Sequence, residues 1–166
     1  MTPLSWRTVS PSLRTLARWL TVVQALGYTV SLVFVWHTTG LSPRGAALRY
    51  RGGEGDAADA AMHFPKSFAE MLTNTHTHLL SIAAIFAFSG LGVALAEWPS
   101  ERWRRLLIAE PFAALLVSFA AMWLMRYADP RFAWLLVASS ATMAIVFYAQ
   151  AAIVLRALAR AERGAP

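Results

Sequence analysis

The 166-residue chain has no cysteine, only nine acidic residues, and only one lysine, Lys66, among its fifteen cationic residues. Without cysteine, the chain alone cannot form disulfides, thiolate metal sites, iron–sulfur clusters or covalently attached c-type haem. Charge is scarce: 14% of residues are charged and 57% are hydrophobic, against about 25% and about 45–50% in a soluble domain. Enzyme signatures are missing as well. There is no phosphate-cradling glycine loop, no H-E-x-x-H, no dinucleotide fingerprint and no G-x-S-x-G elbow, which argues against a self-contained hydrolase or kinase. No inverted repeat suggests a transporter. No series of alternating segments of about ten residues suggests a β-barrel.

What the chain does have is apolar length. Its mean hydropathy is +0.47, and four apolar runs stand out: Leu16–Trp36, His78–Ala96, Leu106–Met125 and Phe132–Leu155. Each is near the ~20 residues a helix needs to cross a ~30 Å hydrocarbon core. The expected fold is all-α, an integral membrane four-helix bundle with up-down-up-down connectivity. Its spans are expected at about 16–36, 76–96, 106–126 and 132–155, in a single domain over 1–166. Seven of the eight prolines lie outside the runs. Pro111 is expected to be harmless because it falls in the first turns of the third, where a missing N–H costs little. Trp19, Trp36, Trp98, Trp103, Trp123 and Trp134 cluster near run ends, where indole rings prefer the headgroup level.

The net charge of +6 does not point to nucleic acid, because the arginines flank apolar runs and form no continuous basic face. They read instead as orientation signals. Arg7, Arg14 and Arg18, then Arg102, Arg104 and Arg105, then Arg156, Arg160 and Arg163 fall on one side. Both termini are therefore expected in the cytoplasm, with a periplasmic loop over 38–75. The arginine bias fits a GC-rich bacterial genome, and the expected location is the bacterial inner (cytoplasmic) membrane, multi-pass. The first run is too long for a cleaved signal peptide and no small-residue cleavage site follows it. Within the loop, Gly52-Gly53-Glu54-Gly55-Asp56 reads as an exposed turn. Ser67-Phe68-Ala69-Glu70 fits a capping box that starts the second long helix.

All four histidines fall on the non-cytoplasmic side: His37 at the end of the first run, His63 in the loop, His76 and His78 where the second span begins. Two residues apart on a helix is about 200°, so His76 and His78 cannot face one point. His78 shares a stripe with Thr75, Ser81, Ile85, Ser89 and Gly92, small and polar residues of the kind that mark helix contacts in membranes. It is therefore placed toward the bundle interior. Three readings stay open. Haem b, or a quinol pocket, would be held near the periplasmic face by His37 with His78 or His76. Copper would take His37, His63, His76 and His78 with Met122 and Met125, since imidazole and thioether ligands suit it; Met62 and Met71 lie on the same side. The third reading is interfacial histidines with no cofactor.

The segments Phe64-Pro65-Lys66-Ser67-Phe68 and Thr75-His76-Thr77-His78-Leu79, with Tyr50-Arg51-Gly52 before them, resemble small bacterial four-helix inner-membrane proteins carrying a T-H-x-H-L pattern. The likeness spans about residues 37–90. It extends more distantly to small membrane b-type cytochromes with H-x-H-L at the start of a helix. The resemblance implies association with a respiratory or other electron-transfer complex. The expected partners are the lipid bilayer and a larger membrane complex or further copies of the chain, with a quinone on the haem reading.

Among the remaining polar residues, Glu110 is expected to be stabilised by a helix N-terminus, with a proton-relay role as the alternative. Gln150 and Tyr148 are expected to bond across helices or face the cytoplasmic interface. Ser139, Ser140 and Thr142 are expected at helix contacts. Arg126 and Asp129 are expected to pair in the last turn.

Overall fold

Serine stands at the head of four helices. Ser10 and Ser42 each precede a proline, which suits the first helical position because its missing N–H is unpaired there anyway. In the computed structural model, which describes residues 4–54 and 62–164, these signals start α1 (Pro11–Thr39) and α2 (Pro43–Arg51). The expected capping box starts α3 (Phe68–Ala94): Ser67 Oγ accepts from the Glu70 N–H, and Glu70 Oε2 accepts from the Ser67 N–H at 2.8 Å. Then follow α4 (Glu101–Tyr127) and α5 (Phe132–Arg163). Two short strands, β1 (Gly53–Glu54) and β2 (Met62–His63), pair antiparallel with Gly53 opposite His63. The glycine-rich turn thus begins in a two-residue ribbon; its Gly55 and Asp56 lie outside the described residues.

Four helices, α1, α3, α4 and α5, are long and apolar enough to cross a membrane. The all-α membrane bundle read from the sequence is the observed architecture. The short helix α2 was not anticipated, because its nine residues carry no long apolar run. The long helices have 27–32 residues, beyond the ~20 of a hydrocarbon crossing, because turns carrying polar residues extend the apolar runs.

Packing is densest between α4 and α5, with α3 laid against both and α1 touching α5 and the short α2. Gly92 lets α3 approach α5: a Cβ there would stand 2.7 Å from Val154 Cγ2. Ser118 and Ser139 share a hydrogen bond of 2.8 Å between α4 and α5, as expected of small polar residues at such a contact. Tyr148 joins α5 to α1 through Thr29, 2.7 Å oxygen to oxygen.

Pro111 is a correction. The helix begins at Glu101, five residues before the apolar run, so Pro111 lies inside α4 and is buried. Its missing N–H deprives the Leu107 carbonyl of its i+4 donor. The buried Gln150 of α5 donates Nε2–H to that carbonyl at 2.7 Å, and its Oε1 accepts from Ser89 Oγ of α3 at 2.6 Å. One side chain therefore ties three helices together and repairs the backbone break.

The N-terminal segment folds under the bundle. Trp6 is buried, its indole N–H donates to the Gly92 carbonyl at 2.9 Å, and its backbone N–H donates to Leu95. Arg14 donates to the Ala161 carbonyl, and Arg18 pairs with Glu162 at 2.6 Å. Both described ends of the chain thus lie at one end of the bundle, the arginine-rich end. The opposite end carries the histidines.

Candidate functional site

At the histidine end the loop is folded tightly onto α4. Arg51 donates to the Met125 carbonyl at 2.8 Å, capping one of the last-turn carbonyls a helix leaves unpaired. Arg126 donates Nε–H to the Lys66 carbonyl at 2.8 Å and its guanidinium lies over the Tyr127 ring. The expected Arg126–Asp129 pair is not what forms. Asp129 Oδ1 instead accepts from the Arg131 N–H at 2.7 Å, the local bond of a tight turn.

Beneath this cap, Asn74 is the central polar residue. Its Nδ2 lies 3.4 Å from Tyr50 Oη and 3.3 Å from Met122 Sδ. One turn of α3 is joined to α4 by Trp123, whose indole N–H donates to Thr75 Oγ1 at 2.9 Å. Phe68 meets the Trp123 ring edge-on, and Trp123 stacks on Tyr127. The inward face of α3 therefore runs through Met71, Asn74, Thr75, Leu79, Phe86 and Val93, half-buried or buried along its length.

This register corrects the placement of His78. It lies beside that face rather than on it. Its side chain is exposed, with Nδ1 3.0 Å from the Asn74 carbonyl of the preceding turn. Along the stripe from Thr75 to Gly92, Thr75 is half-buried and Ser89 and Gly92 are buried, while His78 and Ser81 are exposed; at His78 the inward position is taken by Leu79. His76 and His37, the latter in the last turn of α1, are also exposed. His63 sits half-buried in β2. Among the described residues, no three histidine, aspartate or glutamate side chains stand close enough together to hold a metal ion.

The methionines proposed for copper lie at the same end of the bundle but are enclosed. Met122 and Met125 are buried, as is Met71. Met125 packs in a cluster with Ala46 and Ala133, and Met122 already accepts the Asn74 amide. The Met62 side chain lies outside the described residues. The centre of the bundle is filled by Phe86, Phe147, Leu115 and Met143, with Tyr28 stacked on Phe147 at 4.3 Å.

What remains on the surface is a polar strip: Thr73, His76, Thr77 and His78 are exposed on the first half of α3. Glu110, expected at a helix N-terminus, is the tenth residue of α4, beyond the first turn in which the dipole acts. Its Oε2 is buried and has no hydrogen-bond partner among the described residues.

No curated protein and no solved structure matches the chain. Residues 40–165, from the Gly40 that caps α1 through α5, match a family model described as a transmembrane helical domain. With most of its length covered by that model, and three of its four apolar helices, α3, α4 and α5, inside the matched region, the chain belongs to this transmembrane helical domain family.

Proposed function

We propose that the chain is a subunit of a larger membrane complex and that it works through the histidine strip on its flank, not through a site inside its own bundle. The observation that carries this is the division of polar groups. Interior polar groups such as Gln150, Asn74 and Ser118 are bonded to the chain's own atoms. The imidazoles of His37, His76 and His78 are turned outward. Ionisable groups at membrane depth are expensive and tend to mark function.

In this reading a haem b or a quinol would be held between His37, His76 or His78 and a partner, which places the chain in an electron-transfer complex. A metal held by histidine and methionine together has less support, because Met122 and Met125 are enclosed.

The test is purification of the tagged chain from its native membrane in mild detergent. An optical spectrum is taken before and after dithionite reduction, with metal analysis and identification of stable co-purifying subunits. A stoichiometric partner lost from the His76→Ala/His78→Ala variant is the expected result. Reduced α and β bands lost together with it would add the haem. A chain that purifies alone, or a partner retained by the double variant, would overturn the proposal.

A further inference from the structure

At the arginine-rich end two clefts adjoin. The first, of about 160 Å³, is lined by Trp6, Arg7, Glu97, Trp98, Arg156 and Arg160, among others. The second, of about 390 Å³, is lined by Trp98, Trp103, Leu107, Ala149, Ala152 and Ile153, among others. They share Trp98, Ile153 and Arg156, so they form one continuous depression with a charged part and an apolar part.

The two parts lie in a definite order along α5. From Ala149 to Arg160 is eleven residues, about 16 Å at ~1.5 Å per residue. Ala149 and Ala152 lie deeper in the apolar span, and Arg156 and Arg160 lie toward the helix end. The alanines keep the groove open. Trp98 and Trp103 stand where indole rings favour the headgroup boundary.

Electrostatics select the occupant. Three arginines face one glutamate in the charged cleft, and that glutamate, Glu97, already pairs with Arg7 at 3.4 Å. The side chains of Arg156 and Arg160 have no ion-pair or hydrogen-bond partner among the described residues. They stand at i and i+4 on one helix face, where like charges repel unless an anion lies between them. Guanidinium forks match phosphate oxygens. The positive-inside rule puts this end in the cytoplasmic leaflet, where anionic lipids concentrate.

We infer that this depression is a binding site for one anionic phospholipid of that leaflet. Arg156 and Arg160 hold its phosphate, and one acyl chain lies in the groove over Leu107, Ala149 and Ala152. The site is at the opposite end from the histidine strip and is independent of the function proposed there.

The experiment is native mass spectrometry of the full chain in a neutral detergent, titrated with phosphatidylglycerol and, separately, with phosphatidylcholine. The wild type is expected to retain phosphatidylglycerol preferentially. At roughly fivefold per arginine, Arg156→Gln/Arg160→Gln is expected to reduce that preference about 25-fold. Ala152→Phe, which fills the groove and leaves the charges in place, is expected to weaken retention of both lipids, and circular dichroism verifies that each variant is folded. Equal retention of the two lipids by the wild type, an unchanged preference in the arginine variant, or no effect of Ala152→Phe would overturn the assignment. So would displacement of the lipid by an equal concentration of inorganic phosphate, which would make the site one for a free anion.

Discussion

Replacing Gln150 with leucine tests how α4 tolerates a proline in its interior. The substitution nearly preserves volume, so the chief loss is two hydrogen bonds. Ser89 Oγ keeps a second acceptor, the Phe86 carbonyl at 3.3 Å, so that end of the network partly recovers. The Leu107 carbonyl has no such recourse, because its helical donor would be residue 111, a proline. A buried unsatisfied group costs about 1–3 kcal/mol, whereas interhelical hydrogen bonds measured in membranes average about 0.6 and reach about 1.7 kcal/mol. Gln150→Leu is therefore expected to destabilise the fold by about 1–2 kcal/mol. The sharper prediction is the coupling. Pro111→Ala restores an N–H to the Leu107 carbonyl, so Gln150→Leu should cost about 1 kcal/mol less in that background. The four proteins would be compared by reversible unfolding in mixed detergent micelles, followed by tryptophan fluorescence. Adjacent residues with a shared partner show such coupling. A coupling indistinguishable from zero would refute the idea that Gln150 stands in for the missing amide.

Further outcomes follow from the same geometry. Gly92→Ala is expected to cost about 1–3 kcal/mol, because its Cβ would meet Val154 Cγ2 at 2.7 Å; Val154→Ala should recover part of the loss, read by the same unfolding assay. Ser139→Ala should cost more in the wild type than in a Ser118→Ala background, since the single change leaves the buried Ser118 hydroxyl with only Ser140, at 3.5 Å. Glu110→Leu should raise stability by about 1 kcal/mol or more by removing an orphaned carboxylate oxygen, and a fall in Tm would show that the carboxyl has a partner. Asn74→Leu should speed hydrogen exchange across residues 43–51, because α2 loses its Tyr50 tie to α3.

Long-range architecture was legible in the sequence because a bilayer imposes a length. Any run near 20 apolar residues has one stable solution, and the four spans follow. The Ser67–Glu70 capping box was equally legible, since its bonds are local. Three features were not. Pro111 looked harmless because the apolar run begins at Leu106, and nothing in hydropathy shows that the charged turn Glu101–Arg105 is already helical. The Glu101 carboxylate binding Arg104 and Arg105 holds that turn. The stripe from His78 to Ser89 and Gly92 argues for an inward His78, and Ser89 and Gly92 do turn in; His78 stays exposed because Leu79 and Thr75 take the inward positions. Trp6 carried no signal, because its partner, the Gly92 carbonyl, is 86 residues away. The pairing of Gln150 with Pro111 had a signal that could have been read: a lone amide on one span and a lone proline on another, at matched depth.

In a membrane, the usual sign of an interaction surface is inverted. None of the apolar 18-residue window of α1 is buried, and its exposed Leu26, Val30 and Val33 call for nothing, since lipid tails are as apolar as leucine. Exposed polar groups carry the information, and on α3 these include Thr73, His76, Thr77 and His78. His76→Leu separates the two explanations of that strip. If lipid alone faces it, the substitution improves the match to the bilayer, raises stability and leaves every co-purifying protein in place. If a partner faces it, stability in isolation still rises while the partner is lost. Unfolding of the isolated chain and co-purification from the native membrane, measured on the same variant, give opposite signs only in the second case. Loss of the partner accompanied by a lower stability would show a damaged fold instead, and would leave the strip without a role.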